Sequence, residues 1–191
     1  MKKHDLIIIG VGPGGLTAGI YAARYQMDSL IIGQIPGGYA STAHDIRNYP
    51  GFSKISGMEL TMKMLDHAKS LEVPIKNELV KDLKKTEEGI LVKTDNEEYL
   101  AKKIILATGS ERRKLGLNKE EDFLGKGISY CATCDAGFQK DKIVGVVGGG
   151  DAALTAALLI SKFASKVYLF YRKEKFTKPE VSWIKEVEKN E

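Results

Sequence analysis

The chain has 191 residues, 43% of them hydrophobic, and its 29 basic and 25 acidic side chains leave a formal charge of +4. That is apolar enough for one large or two small packed domains, and it excludes disorder. Charges of both signs are interspersed, as in Arg172-Lys173-Glu174-Lys175, which argues against a nucleic-acid partner.

No apolar run approaches the roughly 20 residues a bilayer requires, and Leu6-Ile7-Ile8-Ile9 is too short for a signal peptide's core. The expectation is a cytoplasmic chain with no membrane partner. The histidines His4, His44 and His67 stand away from the only cysteines, Cys131 and Cys134, so no metal site is expected.

In chain order, Asp5 to Ile9 reads as a strand, Gly10 to Gly15 as a glycine turn, Leu16 to Tyr25 as a helix and Ser29 to Ile32 as a second strand. Gly10-Val11-Gly12-Pro13-Gly14-Gly15 fits G-x-G-x-x-G between strand and helix. In that setting the first glycine allows the tight turn, the second lets backbone approach a pyrophosphate, and the third packs helix on strand. An ordinary strand-to-helix turn is the alternative. The acid that often binds ribose after the second strand is absent, and Gly33 and Gln34 stand there instead, with Gly37 and Gly38 close behind in a loop running from Gly33 to Gly51.

Ser56-Gly57-Met58-Glu59 has capping-box spacing and opens a helix from Gly57 to about Leu71. Short strands follow at Leu79-Val80, Ile90 to Val92, Tyr99-Leu100 and Ile104 to Leu106, and Ala107-Thr108-Gly109 makes a small-residue turn suited to a close backbone approach. Ser110 to Gln139 shows little periodicity.

A new strand, Lys142 to Val147, then runs into Gly148-Gly149-Gly150-Asp151-Ala152-Ala153, a second cradle of the form G-x-G-x-x-A. A helix from Ala152 to Phe163, a strand from Lys166 to Tyr171 and a helix from Glu180 to Lys189 complete the pattern. Arg172 and Lys173 end that last strand where positive charge suits a 2′-phosphate. The fold class is therefore α/β, with two Rossmann-like dinucleotide-binding units divided at 1–110 and 111–191. The second is incomplete, because two strands do not make a doubly wound domain.

Cys131-Ala132-Thr133-Cys134 has the C-x-x-C spacing of a reversible disulfide, and beside two nucleotide cradles it suggests electron transfer. Two buried apolar cysteines, or half of a metal site shared with a partner, are the other readings of that spacing. Asp135 is a carboxylate available to move a proton during thiol exchange.

Together the first cradle, Gly37-Gly38, Asn48-Tyr49-Pro50-Gly51, Ala107-Thr108-Gly109, Cys131-Ala132-Thr133-Cys134-Asp135 and the second cradle resemble low-molecular-weight thioredoxin reductases. The resemblance implies FAD on 1–110, with Gly12, Pro13, Gly14, Gly37, Gly38, Asn48, Thr108 and Gly109 at flavin positions. It also implies NADPH, or NADH, on 111–191. Cys134 would lie against the flavin, Cys131 would attack the disulfide of thioredoxin or a similar dithiol protein, and Asp135 would donate the proton. A homodimer is implied as well.

Departures from the family pattern are Tyr39 for Gln, Leu154-Thr155-Ala156 where the family carries Glu residues, and Tyr171-Arg172-Lys173 for His-Arg-Arg. The segment that in this family returns to complete the flavin site is missing, so a C-terminal truncation is expected. The alternative function is a non-catalytic chain that binds a nucleotide or a partner.

Overall fold

Alternating strands and helices fold, in this computed structural model, into two compact units, Met1–Glu111 and Arg112–Glu191; the structure describes residues 1–111 and 113–190. In the first unit β1 (Lys2–Ile9), α1 (Pro13–Arg24), β2 (Ser29–Ile32), α2 (Gly57–Ser70) and β3 (Ile75–Lys76) are followed by β4 (Val80–Thr86), β5 (Gly89–Thr94) and β6 (Glu98–Leu106). They form one sheet of order β3-β2-β1-β6-β5-β4, parallel from β3 to β6 and antiparallel beyond.

The unbroken apolar run in β1 reflects burial on both faces. Leu6 and Ile8 pack with Leu16, Ala22, Leu65 and Ala68 of α1 and α2. Ile7 and Ile9 point the other way, into a cluster with Leu30, Ile32, Val92 and Tyr99. Within that layer Tyr99 donates its hydroxyl to Glu78 Oε1 at 2.9 Å, and Thr94 donates to Oε2 at 2.7 Å. Burial and the Glu78 carboxylate hold the phenol well above its ordinary pKa.

β6 is one strand where the sequence suggests two short ones. Its first half, to Ala101, pairs with both β5 and β1, while the second half pairs with β1. Lys102 and Lys103 at that transition are exposed, and their charge interrupts the apolar pattern without interrupting the strand. The start of β1 is likewise hidden by Lys2 and Lys3, which pair with Tyr99 and Leu100 and reach Glu97 and Glu88 at 2.7 and 3.1 Å. α2 begins as its capping box predicts, with Ser56 Oγ accepting the Glu59 amide at 3.1 Å.

In the second unit the α-helices and strands are α3 (Ala132–Asp135), β7 (Ile143–Val147), α4 (Asp151–Ile160), β8 (Lys166–Phe170) and α5 (Val181–Glu188), with short 3-10 turns at Glu120–Phe123 and Ala136–Gln139. β7 and β8 pair in parallel, and Val144, Val146, Val167 and Leu169 pack with Ala157, Leu159 and Ile160 of α4. The opposite strand face leaves Ile143, Val147, Tyr168 and Phe170 exposed. Among the described residues no helix is long and apolar enough to cross a membrane, and no cluster of three His, Cys, Asp or Glu is arranged to hold a metal.

Candidate functional site

The first glycine turn is held by backbone on three sides. Gly10 donates to the Ile32 carbonyl at 2.8 Å, Gly37 donates to the Val11 carbonyl at 2.9 Å, and Ala107 donates to the Ile9 carbonyl at 2.8 Å. Gly10, at φ +114, has no room for a side chain, since a Cβ there would stand 2.1 Å from the Ala107 carbonyl oxygen. At Gly15 a Cβ would meet the Gly10 carbonyl oxygen at 1.8 Å, so this glycine fixes how closely α1 approaches β1.

Gly12 and Gly14 differ from these: a Cβ would have its nearest neighbours at 3.9 Å and 3.8 Å, and the side they leave free is open. Backbone can therefore reach a pyrophosphate at the N-terminus of α1, where Pro13 occupies the first helical position. Gly38 comes up against Gly12, its Cβ direction 3.4 Å from the Gly12 α-carbon, and a Cβ on Gly33 would stand 2.9 Å from the Val11 nitrogen. The fold thus brings together Gly10 to Gly15, Gly33, Gly37, Gly38 and the Ala107-Thr108 turn. Gln34, Asn48 and Thr108 are exposed, and Gly109 has open space about its α-carbon. This cradle fits a dinucleotide.

The second turn repeats the design on β7 and α4. Gly148, at φ +144, donates to the Phe170 carbonyl at 2.9 Å, and nothing lies within 4 Å of a Cβ on Gly150. Ala153, in the third position of the motif, takes the helix-packing place: its Cβ is 2.8 Å from where one on Gly148 would be. Ala152 is exposed beside the open Gly150, and Arg172 and Lys173 are exposed beyond β8. These residues fit a second dinucleotide.

Two contacts here escape the sequence. The Tyr171 ring covers Gly149, where a Cβ would lie 2.1 Å from ring carbons, and Asp151 accepts the Glu180 amide at 2.7 Å.

Cys131 and Cys134 are joined by a disulfide. Cys131 is the N-cap of α3 and half-buried, and its Sγ accepts the Cys134 amide at 3.2 Å; Cys134 is exposed and Asp135 half-buried. Ser129 Oγ accepts the Cys131 amide at 3.1 Å.

The segment leading to this pair is fastened by Glu120, only 5% exposed, whose carboxylate accepts the amides of Leu115, Gly116 and Leu117 at 3.1, 2.7 and 3.0 Å and the Tyr130 hydroxyl. The Tyr130 hydrogen bond, then these amides, hold the carboxyl below its ordinary pKa against the opposing effect of burial. Sequence reasoning missed Glu120, because Lys119-Glu120-Glu121-Asp122 looks like a solvated charged run. The signal available was the adjacent glycine turn, whose amides needed acceptors.

The pyridine nucleotide-disulphide oxidoreductase family model matches residues 4–190. The chain belongs to that family. Thioredoxin reductase of Bacillus subtilis is 42% identical over 175 residues, 91% of this chain and 55% of that protein. Thioredoxin reductase of Mycoplasma pneumoniae is 42% identical over 181 residues, 94% of this chain and 58% of the relative. Among solved structures, the thioredoxin reductase of Lactococcus lactis in its FR conformation superposes with a TM-score of 0.95 at 35% identity, over 98% of this chain and 62% of that one. That of T. acidophilum gives 0.93 at 33% identity, over 100% and 62%. As a pyridine nucleotide-disulphide oxidoreductase chain, this one has the Rossmann-like α/β organisation of its relatives and spans little more than half the length of the curated ones it matches.

Proposed function

We propose that the chain carries the nucleotide sites and the redox disulfide of a reductase of the thioredoxin reductase type, cytoplasmic and homodimeric. The observation that carries the reading is the Cys131–Cys134 disulfide in the unit that also holds the second glycine turn. FAD is assigned to 1–110, held by Gly12, Pro13, Gly14, Gly37, Gly38 and Thr108, with Asn48 and Gly109 at its margin. NADPH, or NADH, is assigned to 111–191 at Gly148 to Ala152, with Arg172 and Lys173 toward a 2′-phosphate. When bound, FAD supplies a two-electron relay between NAD(P)H and a disulfide.

The chain's own chemistry is thiol exchange. Two electrons delivered to the disulfide leave Cys131 and Cys134 reduced, and the Cys134 amide that points at Cys131 Sγ at 3.2 Å favours a thiolate on Cys131. Cys131 attacks one sulfur of the disulfide of thioredoxin or a similar protein. The other acceptor sulfur leaves as a thiolate and takes a proton, for which Asp135 is the donor. Cys134 then attacks Cys131 Sγ, restores the disulfide and releases the second acceptor thiolate, so the electron pair ends on the acceptor.

The test is spectroscopic and chemical. A yellow preparation with NADPH-dependent reduction of thioredoxin supports the reading, and Cys134→Ser is expected to keep the flavin band and abolish reduction. Unchanged turnover in that variant would sink the assignment of the redox pair. Colourless, folded protein without NADPH-dependent reduction would favour the alternative, a chain that binds nucleotide or partner without turnover.

A further inference from the structure

The chain between β8 and α5 starts and ends on the same glycine turn. At its start the Tyr171 ring lies over Gly149 and stacks on Phe176, with ring centroids 5.4 Å apart and planes 10° from parallel. At its end Asp151, the first residue of α4, accepts the Glu180 amide at 2.7 Å, next to buried Pro179. The two anchors on the turn are two positions apart. The segment between Tyr171 and Glu180 is therefore a closed strap, and it carries Arg172, Lys173, Lys175 and Lys178 against Glu174.

A carboxylate at the start of a helix competes with a phosphate for the same exposed amides. Asp151 is directed instead to the strap, by a bond across 29 residues of sequence. We infer that Asp151 is a positioning residue, which by holding Glu180 keeps the cationic strap closed on the second glycine turn and sets how strongly that turn prefers a nucleotide bearing an additional phosphate. This rests on reading the second turn as the nicotinamide nucleotide site. A strap already closed presents its cations without the ordering cost that a free loop meets on binding. Asparagine keeps a carbonyl acceptor for the Glu180 amide, whereas alanine keeps none.

Trp183, the one tryptophan, is 6% exposed on α5; tryptophan emission overlaps the absorption of reduced nicotinamide, so its quenching is the binding readout. The full chain, Asp151→Asn and Asp151→Ala are titrated with NADPH and with NADH, and separately digested with trypsin without nucleotide. The expected result is that the NADPH-to-NADH affinity ratio falls about tenfold in Asp151→Ala and is kept in Asp151→Asn. Cleavage after Arg172, Lys173 and Lys175 should quicken in the alanine variant alone. An unchanged far-ultraviolet circular dichroism spectrum marks the variants as folded.

An alanine variant with wild-type ratio and wild-type cleavage overturns the inference. So does an equal loss in both variants, which would make the charge, not the tether, the active feature. If the wild-type chain binds neither nucleotide, the reading of the turn and the selectivity claim fall together, while faster cleavage of Asp151→Ala still upholds the tether.

Discussion

Gly14 and Gly15 are neighbours in one motif, yet their α-carbons face different surroundings. A Cβ at Gly15 would sit 1.8 Å from a backbone carbonyl oxygen and cannot be relieved by a side-chain rotation, so Gly15→Ala must lift α1 from β1. The expected loss is about 1–3 kcal/mol, read from the denaturant midpoint. At Gly14 the nearest atom to a Cβ is the Ala107 Cβ at 3.8 Å, an ordinary contact. Gly14→Ala should change stability by less than about 0.5 kcal/mol while weakening FAD binding, because the added methyl points into the open side of the cradle. A Gly14→Ala protein that binds FAD as the wild type does would remove Gly14 from the site.

Glu120 sets the behaviour of the segment before α3. Its pKa is held below the ordinary 4.5 in the folded chain, so its contribution to stability is full above that value and is lost as pH falls through the folded pKa. Protonation takes away the charge that three amides and Tyr130 share. Denaturant midpoints of the second unit should therefore drop on acidification below about pH 4.5, and Glu120→Gln should be weaker at neutral pH and flatter across that window. An identical acid slope in the variant would assign the effect to other carboxylates. α3 itself is four residues long, so its placement depends on what holds Tyr130 and Cys131 rather than on helix propensity.

For the whole molecule, two compact units mean that a ligand stabilises the unit it binds. FAD at about 100 times its dissociation constant should add about 2.7 kcal/mol to the unit with the first cradle. Circular dichroism would register that shift, while the unfolding midpoint followed at Trp183, which lies in the second unit, should rise with NADPH and not with FAD. A Trp183 transition raised equally by FAD would show that the units unfold together.

Much of this architecture was legible along the chain. Each glycine turn follows an apolar run and opens a helix, the Ser56 capping box starts α2, and the cysteine pair stands between the two cradles. The errors came where charge masked continuity, as at Lys102-Lys103 inside β6 and Lys2-Lys3 at the start of β1, because a strand at an open or exposed position tolerates lysine.

By itself the sequence determined the two strand-turn-helix units, their order and the disulfide-forming spacing, since periodicity and turn chemistry act over a few residues. Tertiary structure alone decided that Tyr171 covers Gly149, that Asp151 serves the strap, and that Glu120 collects the amides of Leu115 to Leu117 with Tyr130. Those contacts depend on where packing brings separated segments and on which buried donors still need an acceptor.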